Sequence, residues 1–426
     1  FDGTMKISYA FPWVKGLKAS LGLVYDTSYS EDNGFLVGYN VNAYSADSKS
    51  YNLMRASSTS EKGNYTKSAS SFRRFMVRPS VEYANTFGKH AVSALFLYEQ
   101  TQLKGSTMTG KMGGYNFNDP VDLSLGTEFI SNPTGSHSDK ATIGYVGRFN
   151  YIFDKRYLAE FAFRVDGSYK FAKDKRWGFF PSVSAGWNIA REEFFGSLSD
   201  IFSTLKVRGS WGQLGNTDTN DAWYPFYQTM PVGTANGRWL VNGLKPNVAG
   251  LPSIVSSLKT WETVETWDVG LDWSLLNNRL TGSFDYFTRY TYDMIGPAPE
   301  LPSVLGTTPP KINNSDMKSY GFELELSWRD RIGDVSYGAK FVLSDARQKI
   351  TRYPNESRSL DIAHYSGKML NEIWGYTTVG IAQTQEQMDA HLANNKPSWG
   401  SSWSPGDVMY KDLNGDGVVN TGGNTV

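Results

Sequence analysis

Residues 157–171 alternate between large apolar side chains and polar ones, and this alternation constrains the fold more than any other feature of the chain. The odd positions are Tyr157, Ala159, Phe161, Phe163, Val165, Gly167, Tyr169 and Phe171, whereas the even positions include Glu160, Arg164, Asp166 and Lys170. Successive side chains of a β-strand point to opposite faces of the sheet. The segment therefore predicts a strand with one apolar face and one charged face.

The same alternation recurs along nearly the whole chain. It predicts about fourteen strands, near residues 4–10, 18–29, 50–59, 70–84, 90–104, 141–153, 157–171, 178–190, 204–213, 259–275, 279–293, 317–329, 334–350 and 367–380. Phe161, Phe163, Trp187, Trp273 and Leu324 are expected on the apolar face of one meandering antiparallel sheet. Short helical pieces are predicted at 191–195 and 384–394.

The lengths of the strands and of their connections favour a transmembrane β-barrel. Several alternating segments run for 12–15 residues, and a tilted membrane strand needs only ~9–11 residues. Tight turns at 153–156, 275–279 and 329–334 alternate with long polar stretches at 29–51, 105–140, 214–258 and 296–316. Short turns on one side and long loops on the other are typical of outer-membrane barrels. The alternative is a soluble β-sandwich or jelly roll, whose strands also alternate.

Composition agrees with an antiparallel transmembrane β-barrel and excludes several other classes of protein. Aromatic residues make up 15% of the chain, and glycine accounts for 42 of its 426 residues. No apolar run approaches the ~18 residues that a membrane helix requires. Lys plus Arg and Asp plus Glu are both 42, so the basic excess of nucleic-acid-binding proteins is lacking. The absence of cysteine excludes disulfides, cysteine-ligated zinc and thiol nucleophiles.

The charged side chains of the predicted strands fall on the face opposite the aromatic ones. We expect them to form a ladder that faces the lumen of a barrel and contacts a plug or water: Glu160, Arg164, Asp166, Lys170, Asp268, Asp272, Asp285, Arg289, Glu323 and Glu325. The four histidines are scattered, and neither His-Glu-x-x-His nor Gly-x-Ser-x-Gly occurs. The sequence therefore predicts no enzyme activity and no catalytic residue.

Aromatic residues in two loop regions are candidates for contact with a ligand. These candidate substrate-binding residues are Trp223, Tyr224, Trp239, Trp399 and Trp403, with Phe226 and Tyr227 nearby. Exposed rings stack on sugars or on peptide side chains, or they pack against a partner protein. Packing among the long loops themselves is the alternative interpretation.

The segment 412–417 has the spacing of a calcium-binding loop. Asp412, Asn414 and Asp416 place oxygen ligands at positions 1, 3 and 5, Gly417 occupies the turn position, and Val418 would add its backbone carbonyl. The twelfth position, which should be Glu, is a glycine. An Asx-rich turn without metal is therefore the alternative.

Five segments in a fixed order carry a resemblance to a known family. They are 177–195, 205–216, 261–272, 320–325 and 406–417, and they begin with Trp-Gly-Phe-Phe-Pro-Ser-Val-Ser-Ala-Gly-Trp-Asn. Together they resemble the barrel of the SusC/RagA-type TonB-dependent transporters of Bacteroidetes outer membranes. Phe87-Gly88-Lys89-His90 also fits, so the resemblance covers nearly the whole chain.

The resemblance implies the barrel portion of an outer-membrane importer for nutrients such as oligosaccharides or peptides. Family members are energised by TonB and carry a SusD-like lipoprotein over their surface loops. Residues 1–426 resemble a partial barrel domain, about 14 strands of a larger barrel, without the plug, the N-terminal extension or the C-terminal strands. The chain has no signal peptide, and we expect an internal piece of a longer protein. A soluble all-β carbohydrate-binding protein that uses the loop aromatics is the alternative.

Overall fold

A computed structural model describes residues 1–45, 47–55, 62–116, 122–198, 201–217, 224–234, 240–298, 302, 304, 309–355, 364–400 and 402–420. Its strands are β1 (Asp2–Ala10), β2 (Leu17–Leu36), β3 (Asn40–Ser45), β4 (Ser50–Arg55), β5 (Asn64–Phe87), β6 (His90–Gly113), β7 (Glu128–Phe153), β8 (Tyr157–Ser168), β9 (Trp177–Asn188), β10 (Phe202–Asn216), β11 (Val232–Thr234), β12 (Asn247–Ala249), β13 (Glu262–Leu275), β14 (Leu280–Gly296), β15 (Ile312–Ile332), β16 (Val335–Arg352), β17 (Thr378–Ile381), β18 (Lys396–Pro397), β19 (Val408–Tyr410) and β20 (Val418–Val419).

Twelve of these strands form one large sheet, in the order β1-β2-β5-β6-β7-β8-β9-β10-β13-β14-β15-β16. Each strand pairs with the next member of the sheet along the chain, and the resolved pairings are antiparallel. The remaining strands form four two-stranded sheets: β3-β4, β11-β12, β17-β19 and β18-β20. The predicted all-β meander is confirmed.

Helical structure is confined to short connections. One α-helix, α1, spans Gln385–Leu392, and 3₁₀ turns span Ile189–Arg191 and Glu193–Leu198. The α-helix and these two 3₁₀ turns lie where the sequence predicted helical pieces, and a further 3₁₀ turn at Leu123–Leu125 was not predicted. No helix in the described part of the chain combines the length and the apolarity needed to cross a membrane.

The chain divides into two compact units. The first comprises Phe1–Pro181 and a short piece ending at Tyr224, and the second comprises Ser182–Asp221 and Pro225–Val426. The first unit holds β1, β2, β5–β8 and the beginning of β9. The second holds the rest of β9, β10 and β13–β16.

Within each unit, one face of the sheet is apolar and the other is polar. A row of directly paired residues crosses six strands of the second unit on the apolar face: Trp187, Val207, Leu271, Phe284, Leu324 and Leu343. The corresponding row of the first unit is Tyr9, Ala19, Val81, Phe96, Gly147 and Phe163. Paired residues of an antiparallel sheet share a face. The predicted apolar positions therefore lie together as expected, within each unit.

The apolar side chains of this face remain exposed to the surroundings. Trp267 is 53% exposed, Val269 60% and Phe341 53%. A β-sandwich would bury such residues between two packed sheets. The apolar face of each unit is instead suited to a hydrocarbon solvent.

Tight turns join the strands at one end of each hairpin. The β7–β8 and β13–β14 turns need left-handed backbone, which Asp154 (φ 49°), Asn277 (φ 58°) and Asn278 (φ 65°) supply. Gly333 (φ 59°) does the same between β15 and β16. The longer connections lie at the opposite ends of these strands, as the sequence predicted.

Aromatic rings on the apolar face lie over glycines of the neighbouring strand. Trp273 is paired with Gly282, where an added Cβ would stand 2.5 Å from the indole. Phe163 is paired with Gly147 in the same way. The large ring thus covers the backbone of the neighbouring strand at a position where glycine has no side chain to cover it. This pairing explains part of the high glycine and aromatic content.

The structure differs from the sequence prediction in several segments. The polar stretch 105–140 is largely paired strand, because β6 continues to Gly113 and β7 begins at Glu128. Both faces are polar there, so no alternation marks the strands. Of the predicted strand 50–59, residues 50–55 form β4 in the separate β3–β4 hairpin, and residues 56–59 lie outside the described residues. The predicted strand 367–380 is reduced to a bridge from Met369 to Lys349 and to the short β17. Phe171, expected at the end of the apolar face, is instead buried beyond the end of β8.

Adjacent residues of β16 test the assignment of the two faces. Leu343 lies on the apolar face opposite Leu324, and Val342 lies on the polar face opposite Glu325. Because a charge on the lipid side is costly, we expect Leu343→Arg to lower the free energy of unfolding in lipid vesicles by about 2–4 kcal/mol. Val342→Arg is the matched control and should leave it nearly unchanged in urea titrations. Equal losses in the two variants would contradict the assignment.

The ring-over-glycine pairing makes a second prediction. Gly282→Val places a branched side chain where the Trp273 ring lies, and overpacking of this kind costs about 1–3 kcal/mol. Gly209→Val is the control on the same face, because an added Cβ there meets only the Asp268 carbonyl oxygen at 3.8 Å. Denaturant midpoints of the two variants give the comparison. A control as unstable as Gly282→Val would show that any valine at a glycine of this face is destabilising.

Candidate functional site

An arginine on the polar face of the second unit binds three aspartates. Arg208 on β10 contacts Asp272 (Nε–Oδ2, 3.1 Å) and Asp268 (Nη1–Oδ1, 3.3 Å) on the adjacent strand β13. Its Nη2 also donates to Asp285 on β14, the second strand over, at 2.8 Å. One arginine thus links three strands, and Lys206 adds a second, longer ion pair to Asp272 at 3.9 Å.

A glycine makes this long reach sterically feasible. Gly270 on β13 is paired with both Arg208 and Asp285. A Cβ at Gly270 would stand 2.5 Å from the guanidinium carbon and 2.5 Å from an Asp285 oxygen. Because Gly270 has no side chain, the Arg208 side chain can cross over β13 and reach β14.

The polar face of the first unit repeats the arrangement. Arg164 on β8 binds Asp166 (Nε–Oδ1, 2.7 Å) and crosses β7 to reach Glu99 on β6 (Nη2–Oε1, 3.4 Å). Gly144 on β7 lies between them, and its added Cβ would be 2.8 Å from the guanidinium. Glu99 also accepts from Arg78 on β5 at 2.8 Å. One chain of ions thus joins β5, β6 and β8, and it passes over β7.

The predicted polar ladder is therefore assembled, and it is built mainly of ion pairs. By register, its members on the polar face are Glu160, Arg164, Asp166, Asp268, Asp272, Asp285, Arg289, Glu323 and Glu325. Lys170 lies beyond the end of β8 at Ser168. Sequence reasoning missed Arg208 as the centre, and it missed Gly144 and Gly270. A glycine on the polar face between two charged strands is the signal that marks such crossings.

Two of the five aromatic candidates lie together. Trp399 and Trp403 belong to an aromatic cluster that we define as Tyr376, Trp399, Trp403 and Tyr410. The Trp399 ring lies 4.3 Å from Tyr376 and 5.5 Å from Tyr410, centroid to centroid, and 6.3 Å from Trp403. Tyr376 is 40% exposed, and the other three rings are half-buried. The cluster therefore presents a partly open aromatic surface.

A small core beneath the cluster holds it in place. Met388 of α1 is fully buried with Ala382 and Met409, and Trp403 packs against them. Thr384 caps α1 by accepting the N–H of Gln387 at 3.3 Å. His391 donates from Nε2 to the Tyr410 carbonyl at 2.7 Å. The rings thus stand on a locally ordered base.

The other aromatic candidates are not brought to this cluster. Tyr224 belongs to the first unit, where its ring lies 5.4 Å from Tyr169 and its hydroxyl donates to the Asp139 carbonyl. Trp223 and Trp239 lie outside the described residues. The five residues predicted as one binding set are therefore not shown to form one site.

The Asp412 loop satisfies its own backbone with its side chains. Asp412 accepts the N–H groups of Asn414, Gly415 and Gly417 at 2.7–3.1 Å. Asp416 accepts the N–H of Val418 at 2.7 Å and the Asn414 amide at 3.0 Å. The hydrogen bonds from Gly417 above all hold the pKa of the Asp412 carboxyl below its usual value. Such a loop is ordered as an Asx-rich turn without any metal.

The ligands that a cation needs are only partly assembled in this loop. The donors are oxygens, the type that calcium prefers. Within the described residues, however, no three acidic, histidine or cysteine side chains are grouped to hold a metal ion. The Asn414 Oδ1 accepts the Asp416 N–H at 3.3 Å, and its amide nitrogen donates to the Asp416 carboxylate at 3.0 Å. A bound cation would have to displace the contact between that amide nitrogen and the carboxylate.

Comparison with known proteins supplies the family. The family model described as TonB-dependent receptor-like, β-barrel, matches residues 4–426. TonB-dependent receptor P3 of Formosa agariphila is 27% identical over 358 residues, which cover 80% of this chain and 34% of that protein. TonB-dependent receptor SusC of Bacteroides thetaiotaomicron is 28% identical over 303 residues, covering 66% of this chain and 27% of that protein. The chain thus spans about a third of the length of these relatives.

A solved structure agrees with these sequence relatives in fold. The RagAB peptide importer in its closed-closed state superposes with a TM-score of 0.71 at 20% identity, over 90% of this chain and 40% of that one. The resemblance to SusC/RagA-type transporters drawn from the five segments is confirmed. This chain belongs to the TonB-dependent receptor-like β-barrel family.

Proposed function

We propose that the chain is the barrel portion of a TonB-dependent importer in a Gram-negative outer membrane. The observation that carries this proposal is the division of each unit's sheet into an exposed apolar face and an ion-paired polar face. Hydrocarbon solvates the first kind of face, and a plug or a water-filled lumen suits the second. Family membership points to the same activity.

The proposed cargo is a nutrient such as an oligosaccharide or a peptide. The structurally similar RagAB complex is a peptide importer, which supports a peptide, and the oligosaccharide is proposed from the resemblance to SusC/RagA-type transporters. A SusD-like surface lipoprotein is the proposed partner above the loops, and TonB is the proposed energy source. In this proposal, residues 1–426 are part of a longer protein that also contains the plug.

The polar face has a passive part in this function. Many of its carboxylates and guanidiniums pair with one another, as those around Arg208 and Arg164 do, and in this proposal they line a path without supplying a nucleophile or a proton relay. We propose no covalent step and no catalytic residue. A soluble carbohydrate-binding protein is not favoured, because it would leave the apolar face in water.

The aromatic cluster is the proposed contact with cargo. Loss of one stacking ring costs about 1 kcal/mol, or about five-fold in affinity. We therefore expect Trp399→Ala in the full-length protein to raise the cargo concentration for half-maximal uptake about five-fold. Uptake of labelled maltooligosaccharides and of labelled peptides by cells separates the two cargo classes. Trp13→Ala, which removes an exposed indole in the β1–β2 turn, is the control. Equal effects of the two variants would show that the aromatic cluster is not part of the cargo-binding site.

We also propose that the Asp412 loop binds calcium weakly. Without a bidentate carboxylate, affinity should lie near the weak extracellular limit, about millimolar. Calorimetric titration of the full-length protein should show calcium heats that an Asp412→Ala, Asp416→Ala double variant loses. Because hydrogen bonds lower the pKa of Asp412, its carboxylate stays ionised to lower pH than an ordinary aspartate, and calcium binding should persist to more acidic pH than an unshifted carboxylate would allow.

A charge-matched variant provides the control for that titration. Glu386→Ala with Asp389→Ala removes two carboxylates from α1 and should leave the calcium heats unchanged. If the wild type and the Asp412→Ala, Asp416→Ala variant titrate identically, the loop is only a turn.

A further inference from the structure

Two lysines face each other at one end of the apolar face of the second unit. Lys318 on β15 is directly paired with Lys349 on β16. Both continue the register of the apolar row, since Leu324 and Leu343 pair on the same face six residues away. Arg347 joins them on this face, directly opposite Tyr320. The apolar face therefore ends in a basic patch, which we define as Lys318, Arg347 and Lys349.

Two of these three charges have no carboxylate partner. Like charges directly opposite each other destabilise a strand pair. Arg347 is paired with Asp345 at 3.4 Å, and the nearby Arg352 is paired with Asp293 and Asp316 at 2.9 and 2.7 Å. Among the described residues, no carboxylate forms an ion pair with Lys318 or Lys349. An anion bound between the two lysines would remove this repulsion.

Aromatic rings hold the patch in position. The Lys318 ammonium lies 5.1 Å from the centroid of the Tyr290 ring and 5.5 Å from that of Tyr320. Tyr290 is the residue paired with Lys318 on β14, and its ring stacks on Tyr292 at 5.7 Å. Cation–π contacts of this kind fix an ammonium without neutralising it. Three adjacent strands thus build the site.

The height of the patch along the strands matches a membrane interface. Trp328 and Tyr320 lie on the apolar face of β15, eight residues apart. This spacing is about 26 Å along the strand and about 20 Å along the normal of a membrane at the usual tilt. The two rings suit the girdles that flank the apolar band. Lys318 lies one pair of residues beyond Tyr320, at the end of the strand away from the tight turn, where lipid headgroups stand.

We propose that Lys318 and Lys349 bind the phosphate of an anionic lipid headgroup at the outer rim of the barrel. The proposal rests on the membrane location proposed above. Charge complementarity selects the ligand, because neither ammonium group has a carboxylate partner among the described residues and both lie at the end of the apolar face where the proposed membrane location places lipid headgroups. The phosphate neutralises both lysines, and the tyrosines pack beside the upper part of the lipid.

Native mass spectrometry of the full-length protein in detergent tests the proposal. The delipidated protein is mixed with diphosphoryl lipid A, with the same lipid after removal of its phosphates, or with inorganic phosphate alone. Lys318→Gln with Lys349→Gln should lower the retained fraction of diphosphoryl lipid A about ten-fold. Removal of the lipid phosphates should lower retention by the wild type similarly. Inorganic phosphate should neither be retained nor displace the lipid.

Lys6→Gln with Lys340→Gln is the matched control. It removes two lysines from the polar faces, at positions paired with Gly22 and Ser327. This variant should retain diphosphoryl lipid A as the wild type does. Equal retention by both double variants would overturn the proposal, and retention of inorganic phosphate would identify a free anion as the ligand instead.

Membrane fractionation and cargo uptake separate this proposal from the proposed function. If the wild type is in the outer-membrane fraction and imports cargo, but Lys318→Gln, Lys349→Gln does not alter lipid retention, only the lipid site fails. If the wild type is absent from the outer membrane, both proposals fail together.

Discussion

In the proposed membrane location, the need to pair every backbone N–H and C=O group inside hydrocarbon governs this structure. An unpaired peptide group in lipid costs several kcal/mol, so strands that contact lipid must be paired along their length with neighbours. Once strands are paired, alternate side chains necessarily face opposite sides. Apolar side chains, such as the row from Trp187 to Leu343, then suit the side that faces hydrocarbon. Charged side chains suit the opposite side. Part of the glycine and aromatic content follows from aromatic rings that lie over glycines of the neighbouring strand.

On the polar side, the geometry of the ion pairs depends on glycines, which have no side chain, as well as on charge. Arg208 and Arg164 each cross a strand at a glycine and reach a carboxylate on the second strand over. Arg208 joins three strands, β10, β13 and β14, and Arg164 ties β8 to β6 across β7. The polar face thereby resists shifts of register, which would carry apolar residues onto it. The wall of the proposed passage is stiffened by the groups that make it polar.

Much of this arrangement was predictable, because alternation reports directly on a two-faced sheet. The face of Phe163 and of Leu324, the tight turns and the place of α1 all followed from the pattern. Strand ends did not, since residues 105–113 and 128–140 are polar on both faces and leave no period to detect. The alternation pattern also does not predict contacts between side chains that are far apart in the sequence. The grouping of Trp399 with Tyr376 depends on a local core around Met388, and the opposition of Lys318 and Lys349 depends on register.

The most direct test of the central claim is site-directed spin labelling along β15. The natural chain has no cysteine, so single cysteines at Phe322, Glu323, Leu324 and Glu325 carry a nitroxide without background. In lipid vesicles, the account predicts that oxygen, which concentrates in hydrocarbon, relaxes the labels at 322 and 324 most strongly. A water-soluble nickel chelate should relax those at 323 and 325. Equal accessibility at all four positions, or the reverse alternation, would contradict the account.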